Sequence, residues 1–217
     1  MEGMTITFSE MSDRFEKIYT GALTDILFSM GHGSQTLPHG IQPLVKGDRI
    51  SAPAFTAEWA PYLSGAKSRA WEMLKSVPAG HALIAATHIH DRASLGDLAL
   101  AFLINRGCKG LVLDGGCRDV DIGTGIGMPR FCAFTTPQDA SHGRGEVREW
   151  GHEIRIGEVR IRTGDFIVAD TDGVVIIPIE IAPEVLVRAE ALVEDETRIR
   201  DALLRGESPD DLFPAEH

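Results

Sequence analysis

The sequence lacks the features that would place the protein in a membrane, on nucleic acid or in a secretory pathway. No apolar run is long enough to span a bilayer. Asp and Glu (32) outnumber Lys and Arg (21), and the formal charge of −11 argues against binding nucleic acid or an anionic membrane surface. Residues 1–15 contain neither the basic nor the apolar segment of a signal peptide. We therefore expect a cytoplasmic protein with no nucleic-acid partner and no membrane contact.

Cysteine is scarce, and its spacing is typical of neither a metal site nor a disulfide framework. The three residues, Cys108, Cys117 and Cys132, form no CxxC pair and are odd in number. The pattern favours small, reduced side chains in a cytosolic protein. Cys117 precedes Arg118, which would favour a thiolate, but no neighbouring His in the sequence marks it as a nucleophile.

Helical patterns at both ends enclose a middle that is rich in strands. Apolar residues recur at helical spacing over residues 9–30, with an interruption at Gly21 and Thr24-Asp25 that predicts two helices. Pro183 begins a predicted C-terminal helix that extends to about residue 204, and we expect the tail at 205–217 to be frayed. This order predicts one α/β domain over residues 1–217, with helices packed outside sheets.

The middle of the chain predicts a short helix around Trp71 and a strand over residues 81–90. His88 and His90 would share one face of that strand. Two histidines on one face can bind a transition metal, or they can simply form a polar strand end.

A glycine-rich segment and a polar segment follow. Residues 123–128 have neither the GxGxxG spacing nor the lysine of a nucleotide-binding loop. The polar residues 137–150 predict a mobile loop, in which Arg144 and Arg148 would either guard a site for an acidic substrate or be solvated. Strand pairs with tight turns are predicted over residues 158–178.

The most informative stretch is residues 96–121. Asp97 suits a helix start, and Gly107 suits the position just after the helix end. The helix between them is apolar on most sides, so we expect it to be largely buried. Residues 110–113 predict a buried strand, and residues 114–116 a glycine turn.

Arg118 and Asp119 follow that predicted turn. A helix start offers unpaired N–H groups to an anion, and a guanidinium beside a carboxylate can serve an oxyanion and a metal ion. The same pair can also be an ordinary surface ion pair. Lys109, at the strand start, is the one lysine in the stretch, so a Schiff-base aldolase is not expected.

These motifs resemble the RraA-like family, which includes the 4-hydroxy-4-methyl-2-oxoglutarate and 4-carboxy-4-hydroxy-2-oxoadipate aldolases. The resemblance covers nearly the whole chain and is carried by four segments: residues 77–80 (VPAG), 96–98 (GDL), 110–119 (GLVLDGGCRD) and 163–178 (TGDFIVADTDGVVIIP). It implies a single layered αββα sandwich of the swivelling β/β/α type, with helices at both termini. The family's aldolases are similar in having Asp, twenty residues and then Arg-Asp, as at Asp97 and Arg118-Asp119. Its ribonuclease regulators have an acidic residue where this chain has Ile122.

The resemblance further implies a site. Asp119 would hold a divalent cation, Mg²⁺ or alternatively Mn²⁺ or another ion, with Asp97 assisting through water. Arg118 would face the keto oxygen of a 2-oxo acid, whose carboxylate rests on backbone N–H groups of Gly96, Asp97, Leu98 and Ala99. Homotrimers, or hexamers built from them, are implied, and Glu194 or Glu196 of a neighbouring subunit would complete the metal shell.

The resulting expectation is a metal-dependent lyase that cleaves a C–C bond in 4-hydroxy-2-oxo acids through a pyruvate enolate. Oxaloacetate decarboxylation needs the same enolate and is expected at the same site. The alternative is a regulator without enzymatic activity, which docks on a ribonuclease through its acidic surface. A methyltransferase has little support, because no glycine-rich loop follows a first strand.

Overall fold

The computed structural model describes residues 6–61, 69–140 and 144–213. The helices are α1 (Phe8–Phe15), α2 (Thr20–Ser29), α3 (Ala70–Ser76), α4 (Asp97–Asn105), α5 (Val120–Ile126), α6 (Ala182–Leu204) and α7 (Pro209–Leu212). The strands are β1 (Gln42–Pro43), β2 (Ile50–Pro61), β3 (Ala82–Ala86), β4 (Ala93–Leu95), β5 (Leu111–Cys117), β6 (Arg130–Thr135), β7 (Gly145–Trp150), β8 (Ile154–Ile156), β9 (Val159–Ile161), β10 (Phe166–Asp170) and β11 (Gly173–Ile177).

One large mixed sheet organises the domain. Its strand order in the described residues is β1-β6-β5-β3-β2-β10-β11, with β4 beside β5 and β7 beside β2. Strands β2, β3, β5 and β6 run parallel, and β10 and β11 add an antiparallel hairpin. Buried side chains fill three clusters, one of which lies between β10, β11 and the terminal helices. The predicted α/β class, with helices at both ends of a nearly closed sheet, is confirmed.

The long C-terminal helix forms where the sequence predicts it. Pro183 lies in the first turn of α6, where its fixed φ and missing N–H are tolerated. Val185, Leu186 and Ala189 are buried in the cluster that α6 shares with α1, α2 and the β10–β11 hairpin. Beyond α6, Ser208 caps the short helix α7 by accepting a hydrogen bond from the backbone of Asp210. Residues 214–217 lie outside the described residues.

The N-terminal region contains two helices, but the predicted position of the break is wrong. Helix α1 ends at Phe15, and α2 starts at Thr20 and continues through Gly21 and Thr24. Asp170, at the end of β10, accepts hydrogen bonds from the Thr20 backbone (2.8 Å) and hydroxyl (2.7 Å). The cap of α2 therefore comes from a residue far away in the sequence, which the local pattern does not reveal.

Two further local predictions need correction. Strand β3 ends at Ala86, and His88 has a positive φ of 49°, so His88 and His90 do not share a strand face. His88 instead forms a hydrogen bond to Glu58 at 2.9 Å. Residues 145–150 of the predicted polar loop form β7, which pairs with the outer half of β2. The remainder of that prediction at 141–143, and residues 62–68 before α3, lie outside the described residues.

Among the described residues, no helix combines the length and the apolar character that a membrane span needs.

Candidate active site

Helix α4 begins at the pocket with an open N-terminus. Gly96 precedes the helix in an extended conformation, and Asp97 lies in its first turn, as predicted. The first helical hydrogen bond is donated by Leu100 to the Gly96 carbonyl, so the N–H groups of residues 97–99 remain outside the ladder. These groups and the helix dipole favour a bound anion.

The same helix is less buried than its composition predicts. Ala99, Leu100 and Leu103 pack into the core, whereas the side chain of Leu98 is 69% exposed. Gly107 ends the helix with a left-handed φ of 81°, which confirms the predicted helix end. One apolar side of α4 therefore faces outward beside the pocket.

Strand β5 carries the chain from the core to the site. It extends through Cys117, so the predicted turn at residues 114–116 is wrong. The glycines are needed for close packing, since a Cβ on Gly115 would overlap the Thr87 hydroxyl and one on Gly116 would overlap the Phe134 ring. The backbone of Arg118 then donates to the Leu95 carbonyl at 3.2 Å, which places Arg118 beside the entry to α4.

Arg118 and Asp119 form the charged centre of the site. Arg118 Nε donates to Asp119 Oδ2 at 3.1 Å, and both side chains are about one-third exposed. Asp119 also has left-handed backbone dihedrals (φ 55°, ψ 44°) and is the residue before α5. Such a conformation is uncommon for a residue with a side chain, and it is typical of functional positions.

Gly96 allows the two halves of the site to meet. Asp119 Oδ2 accepts a hydrogen bond from the Asp97 backbone at 3.4 Å. A Cβ on Gly96 would overlap Asp119 Oδ2 and would lie only 3.0 Å from Arg118 Nε. The predicted meeting of the helix start and the Arg-Asp pair is thus present, and it requires glycine at position 96.

Asp139 is a pocket residue that the sequence patterns do not identify. Its Oδ2 lies 3.4 Å from Arg118 Nη1, and its side chain is 22% exposed. Asp139 lines the same pocket of about 260 Å³ as Gly96, Asp97, Leu98, Ala99 and Arg118. Arg118 is therefore held between two carboxylates, at Nε and at Nη1.

A buried arginine supports the segment that carries Asp119. The Arg130 side chain is fully buried, and its Nη2 donates to the Val120 carbonyl (3.1 Å) and the Thr124 hydroxyl (3.0 Å) of α5. Its guanidinium passes directly beneath Gly123. Because α5 starts immediately after Asp119, Arg130 helps to fix the backbone of that residue.

The donor set fits a hydrated divalent cation. Asp119 and Asp139 each contact Arg118, and Asp97 lines the pocket with Asp139, whereas Asp119 lines a second pocket that also contains Arg118. Carboxylates of this kind supply the hard oxygen donors and the negative charge that suit Mg²⁺ or Mn²⁺. In the described parts of the chain, no three His, Cys, Asp or Glu side chains are placed to hold a metal by themselves. Mg²⁺ commonly uses one or two protein carboxylates and keeps several waters, so Asp119 and Asp97 are the residues that would hold it.

The remaining candidate residues lie apart from this pocket. Glu194 and Glu196 are on α6, where Glu194 borders a groove with Arg14, and Glu196 lies 3.9 Å from Arg200. Cys117 is buried, and its hydrogen bond with Cys132 together with burial raises the pKa of its thiol well above the usual value. A thiol in this environment is a poor nucleophile.

The fold and this geometry define an α/β protein with a pocket between an open helix start and an Arg-Asp pair. The family profile described as RraA-like (Aldolase/RraA) matches residues 20–176. A protein of Halalkalibacterium halodurans, provisionally named a 4-hydroxy-4-methyl-2-oxoglutarate aldolase, is 33% identical over 189 residues, which cover 86% of each chain. The chain belongs to the RraA-like family.

Solved structures show the same fold. An uncharacterised protein from Pseudomonas syringae pv. tomato superposes with a TM-score of 0.87 at 30% identity, covering 96% of this chain and 94% of that one. RraAS2 of Streptomyces coelicolor, described as an unusual member of the RNase ES inhibitor RraA family, superposes with a TM-score of 0.80 at 26% identity. That alignment covers 88% of this chain and 98% of the Streptomyces protein.

Proposed function

We propose that the protein is a divalent-metal-dependent lyase that cleaves 4-hydroxy-2-oxo acids to pyruvate and an aldehyde or ketone. The observation that carries the proposal is the contact between the Asp97 backbone and the Asp119 carboxylate. This contact supports a site in which the N–H groups of the helix start, the Arg118 guanidinium and the Asp119 carboxylate act on one substrate. The aldolase name of the Halalkalibacterium relative supports the same reaction class.

The helix start binds the common end of the substrates. Every 2-oxo acid carries a carboxylate next to its keto group, and the N–H groups of Leu98 and Ala99, with the helix dipole, provide donors and positive charge for it. Arg118 then faces the keto oxygen. When the bond between C3 and C4 breaks, its electron pair moves toward this oxygen, and the guanidinium stabilises the developing negative charge.

A divalent cation held by Asp119, with Asp97 reaching it through water, would supply Lewis-acid stabilisation of the same charge. The substrate hydroxyl at C4 must lose its proton as C4 becomes a carbonyl. Asp97 lines the pocket and is the carboxylate that we assign to accept this proton through water. The proton that completes pyruvate is returned to C3, so the reaction is balanced without a redox partner.

The same site should decarboxylate oxaloacetate. Loss of CO₂ from oxaloacetate leaves the pyruvate enolate, and Arg118 would stabilise it in the same way. A Schiff base with a lysine is not required for either reaction. Lys109 does not line the pocket of Arg118. It lines a separate cavity with Phe8 and His81, at the end of the sheet where β3 and β5 begin.

The test is pyruvate release from oxaloacetate and from 4-hydroxy-2-oxoglutarate, measured with added Mg²⁺ or Mn²⁺ and after treatment with EDTA. We expect release that EDTA abolishes and that either ion restores. Release of pyruvate at the same rate in EDTA would disprove the metal requirement. No release from any 4-hydroxy-2-oxo acid would disprove the lyase proposal.

We also propose that the active unit is a homotrimer or a hexamer, in which Glu194 or Glu196 of one copy completes the metal shell of the next. Both residues are on the outer part of α6, away from the pocket of their own chain. Mixing an Asp119→Asn protein with a Glu194→Gln or Glu196→Gln protein should regenerate some intact sites and restore activity. Sedimentation of a fully active monomer would contradict this assignment.

A ribonuclease-binding regulator is the second candidate, and the likeness to the Streptomyces protein favours it. The strongly acidic chain would mask basic RNA-binding surfaces of a partner. A pull-down with an RNase E-type enzyme, performed beside the pyruvate assay, separates the two functions.

A further inference from the structure

Asp119 keeps its left-handed backbone (φ 55°, ψ 44°) although a side chain disfavours that conformation. Such a conformation persists only where the surrounding structure fixes it. Part of the constraint is local, because the Asp119 carbonyl accepts a hydrogen bond from the Gly123 backbone at 2.8 Å, which closes the first turn of α5. That turn must in turn be held in place above the sheet.

Arg130 supports the turn from below. Its backbone belongs to β6, where it pairs with Leu111 of β5 and donates to Asp48 Oδ2 at 3.2 Å, so the sheet fixes the base of the side chain. Its Nη2 reaches the Val120 carbonyl at 3.1 Å and the Thr124 hydroxyl at 3.0 Å. The same hydroxyl donates to the Val120 carbonyl at 2.8 Å. These three groups form a closed triangle of contacts, the α5 clamp, immediately after Asp119.

The clamp leaves no free space beneath α5. A Cβ on Gly123 would overlap Nη1 of Arg130 and would lie 2.9 Å from Cδ1 of Leu100. The helix therefore rests directly on the guanidinium. The residue that bonds to the Asp119 carbonyl is also the residue that contacts Arg130 from above.

Stability alone gives little reason for an arginine at position 130. The side chain is fully buried, and its Nε and Nη1 have no hydrogen-bond partner among the described residues. The two acceptors of Nη2 are uncharged. Burying a guanidinium in this way costs free energy that an apolar side chain of similar volume would not cost. A role in placing Asp119 offers a reason for keeping it.

We infer that Arg130, through the α5 clamp, is a positioning residue that holds the Asp119 carboxylate where the proposed lyase binds its divalent cation. This inference rests on the proposed function and adds to it a residue that lines neither pocket of Arg118. Side chains that orient a metal ligand without touching the metal contribute about 10- to 100-fold to affinity or activity. Loss of the clamp should therefore weaken ion binding and lower kcat, while the binding of the 2-oxo acid is unaffected.

Two variants disrupt the clamp in different ways, and isothermal titration of each protein with Mn²⁺ is the first readout. Arg130→Lys keeps the charge but loses the planar fork that reaches two acceptors at once. Thr124→Val changes an exposed residue, keeps its shape and removes its hydroxyl. We expect about tenfold weaker Mn²⁺ binding in both variants, and the parent affinity in Thr124→Ser, which keeps the hydroxyl.

Pyruvate release from oxaloacetate at saturating Mn²⁺ separates positioning from substrate binding. In Arg130→Lys and Thr124→Val, kcat should fall about tenfold with KM nearly unchanged, because the start of α4 and Arg118 are intact. Val112→Ala is the control. It shortens a buried side chain on the other face of β5, away from α5, and should lower stability while keeping the parent Mn²⁺ affinity.

Parent-like Mn²⁺ affinity in either Arg130→Lys or Thr124→Val would overturn the inference. An equal loss in Val112→Ala would also overturn it, because the effect would then come from stability. Both outcomes leave the lyase function standing. If Arg130→Lys does not fold, the comparison of Thr124→Val with Thr124→Ser decides alone. If the parent protein itself binds no Mn²⁺, the proposed metal requirement fails and the inference falls with it.

Discussion

The backbone nitrogen of Asp97 lies 3.4 Å from Oδ2 of Asp119, although the two residues are 22 positions apart in the sequence. One helix and one strand separate them, and the strand returns the chain to the point where the helix began. The contact joins the open start of α4 to the Arg-Asp pair.

Gly96→Ala should reduce pyruvate release at least tenfold while leaving the fold intact. The added Cβ would displace the Arg118 and Asp119 side chains, and misplacement by a fraction of an ångström is costly in catalysis. Gly125→Ala is the matched control, since a Cβ there meets nothing within 4 Å. Kinetics and thermal unfolding of both variants would check the expectation. Full activity of Gly96→Ala would contradict the proposed geometry.

Arg118→Ala should lower kcat by about 10²- to 10³-fold, the loss seen when one donor to a developing oxyanion is removed. Metal binding should survive, because Asp119 is unchanged. Isothermal titration with Mn²⁺ and steady-state kinetics measure the two properties separately. Arg148→Ala serves as the control. If kcat of Arg118→Ala is unaltered, Arg118 has no part in the chemistry.

Asp119→Asn should abolish metal-dependent turnover with little effect on stability. Asparagine tolerates the left-handed conformation of this residue and keeps an acceptor for the Asp97 N–H, so only the charge is lost. Mn²⁺ titration should show at least tenfold weaker binding. A variant that remains active and insensitive to EDTA would refute the metal assignment.

Gly123→Ala and Gly125→Ala should change stability in opposite directions within one short helix. A Cβ at position 123 would press on the buried Arg130 guanidinium and on Leu100, and overpacking of this kind costs about 1–3 kcal/mol. At position 125 the space is open, and replacing a helical Gly by Ala gains roughly 0.5–1 kcal/mol. Urea unfolding at pH 7 measures both values. Equal changes in unfolding free energy for the two variants would show that the Arg130 side chain moves aside at little cost.

The ion pair between Arg14 and Glu190 should contribute to acid sensitivity. Arg14 joins α1 to α6 through two hydrogen bonds of 2.7 and 2.5 Å, and this contact lowers the pKa of Glu190 below its ordinary value of 4.5. A lowered folded-state pKa stabilises the fold above that ordinary value, and the contribution is lost as the pH falls through the lowered pKa.

Because Glu190 is 40% exposed, the contribution should be no more than about 1 kcal/mol. Glu190→Gln should remove it, so the variant and the parent would differ in unfolding free energy at pH 7 and converge at pH 3. Asp201→Asn, on the same helix, should show no such convergence. A constant difference across the pH range would exclude the ionic origin.

Periodicity and helix signals predicted the terminal helices and the β10–β11 hairpin, because these elements are specified locally. Pro183 marks the start of α6, and Gly107 marks the end of α4. The glycines of β5 were misread as a turn because glycine serves both turns and close packing. At positions 115 and 116 the close packing comes from Thr87 and Phe134, which the local sequence does not reveal.

The pairing of Asp97 with Arg118 and Asp119 was predictable, since one helix and one strand of known lengths separate them. Asp139 was not, because it follows a different strand and its contact with Arg118 depends on the path of β6 past β5. The exposure of the Leu98 side chain was not predicted from the sequence, for a related reason. Composition reports how apolar a helix is, whereas its burial depends on what the rest of the chain places against it.

Ala70, Trp71 and Leu74 of α3 form an apolar side of the pocket, whereas the groups that we propose for catalysis come from residues 96–119. Mutations on α3 can therefore accumulate without touching those proposed groups. Over evolutionary time such an arrangement permits one reaction to be inherited while the range of accepted molecules diverges. It also makes α3 a starting point for laboratory redesign of the proposed lyase.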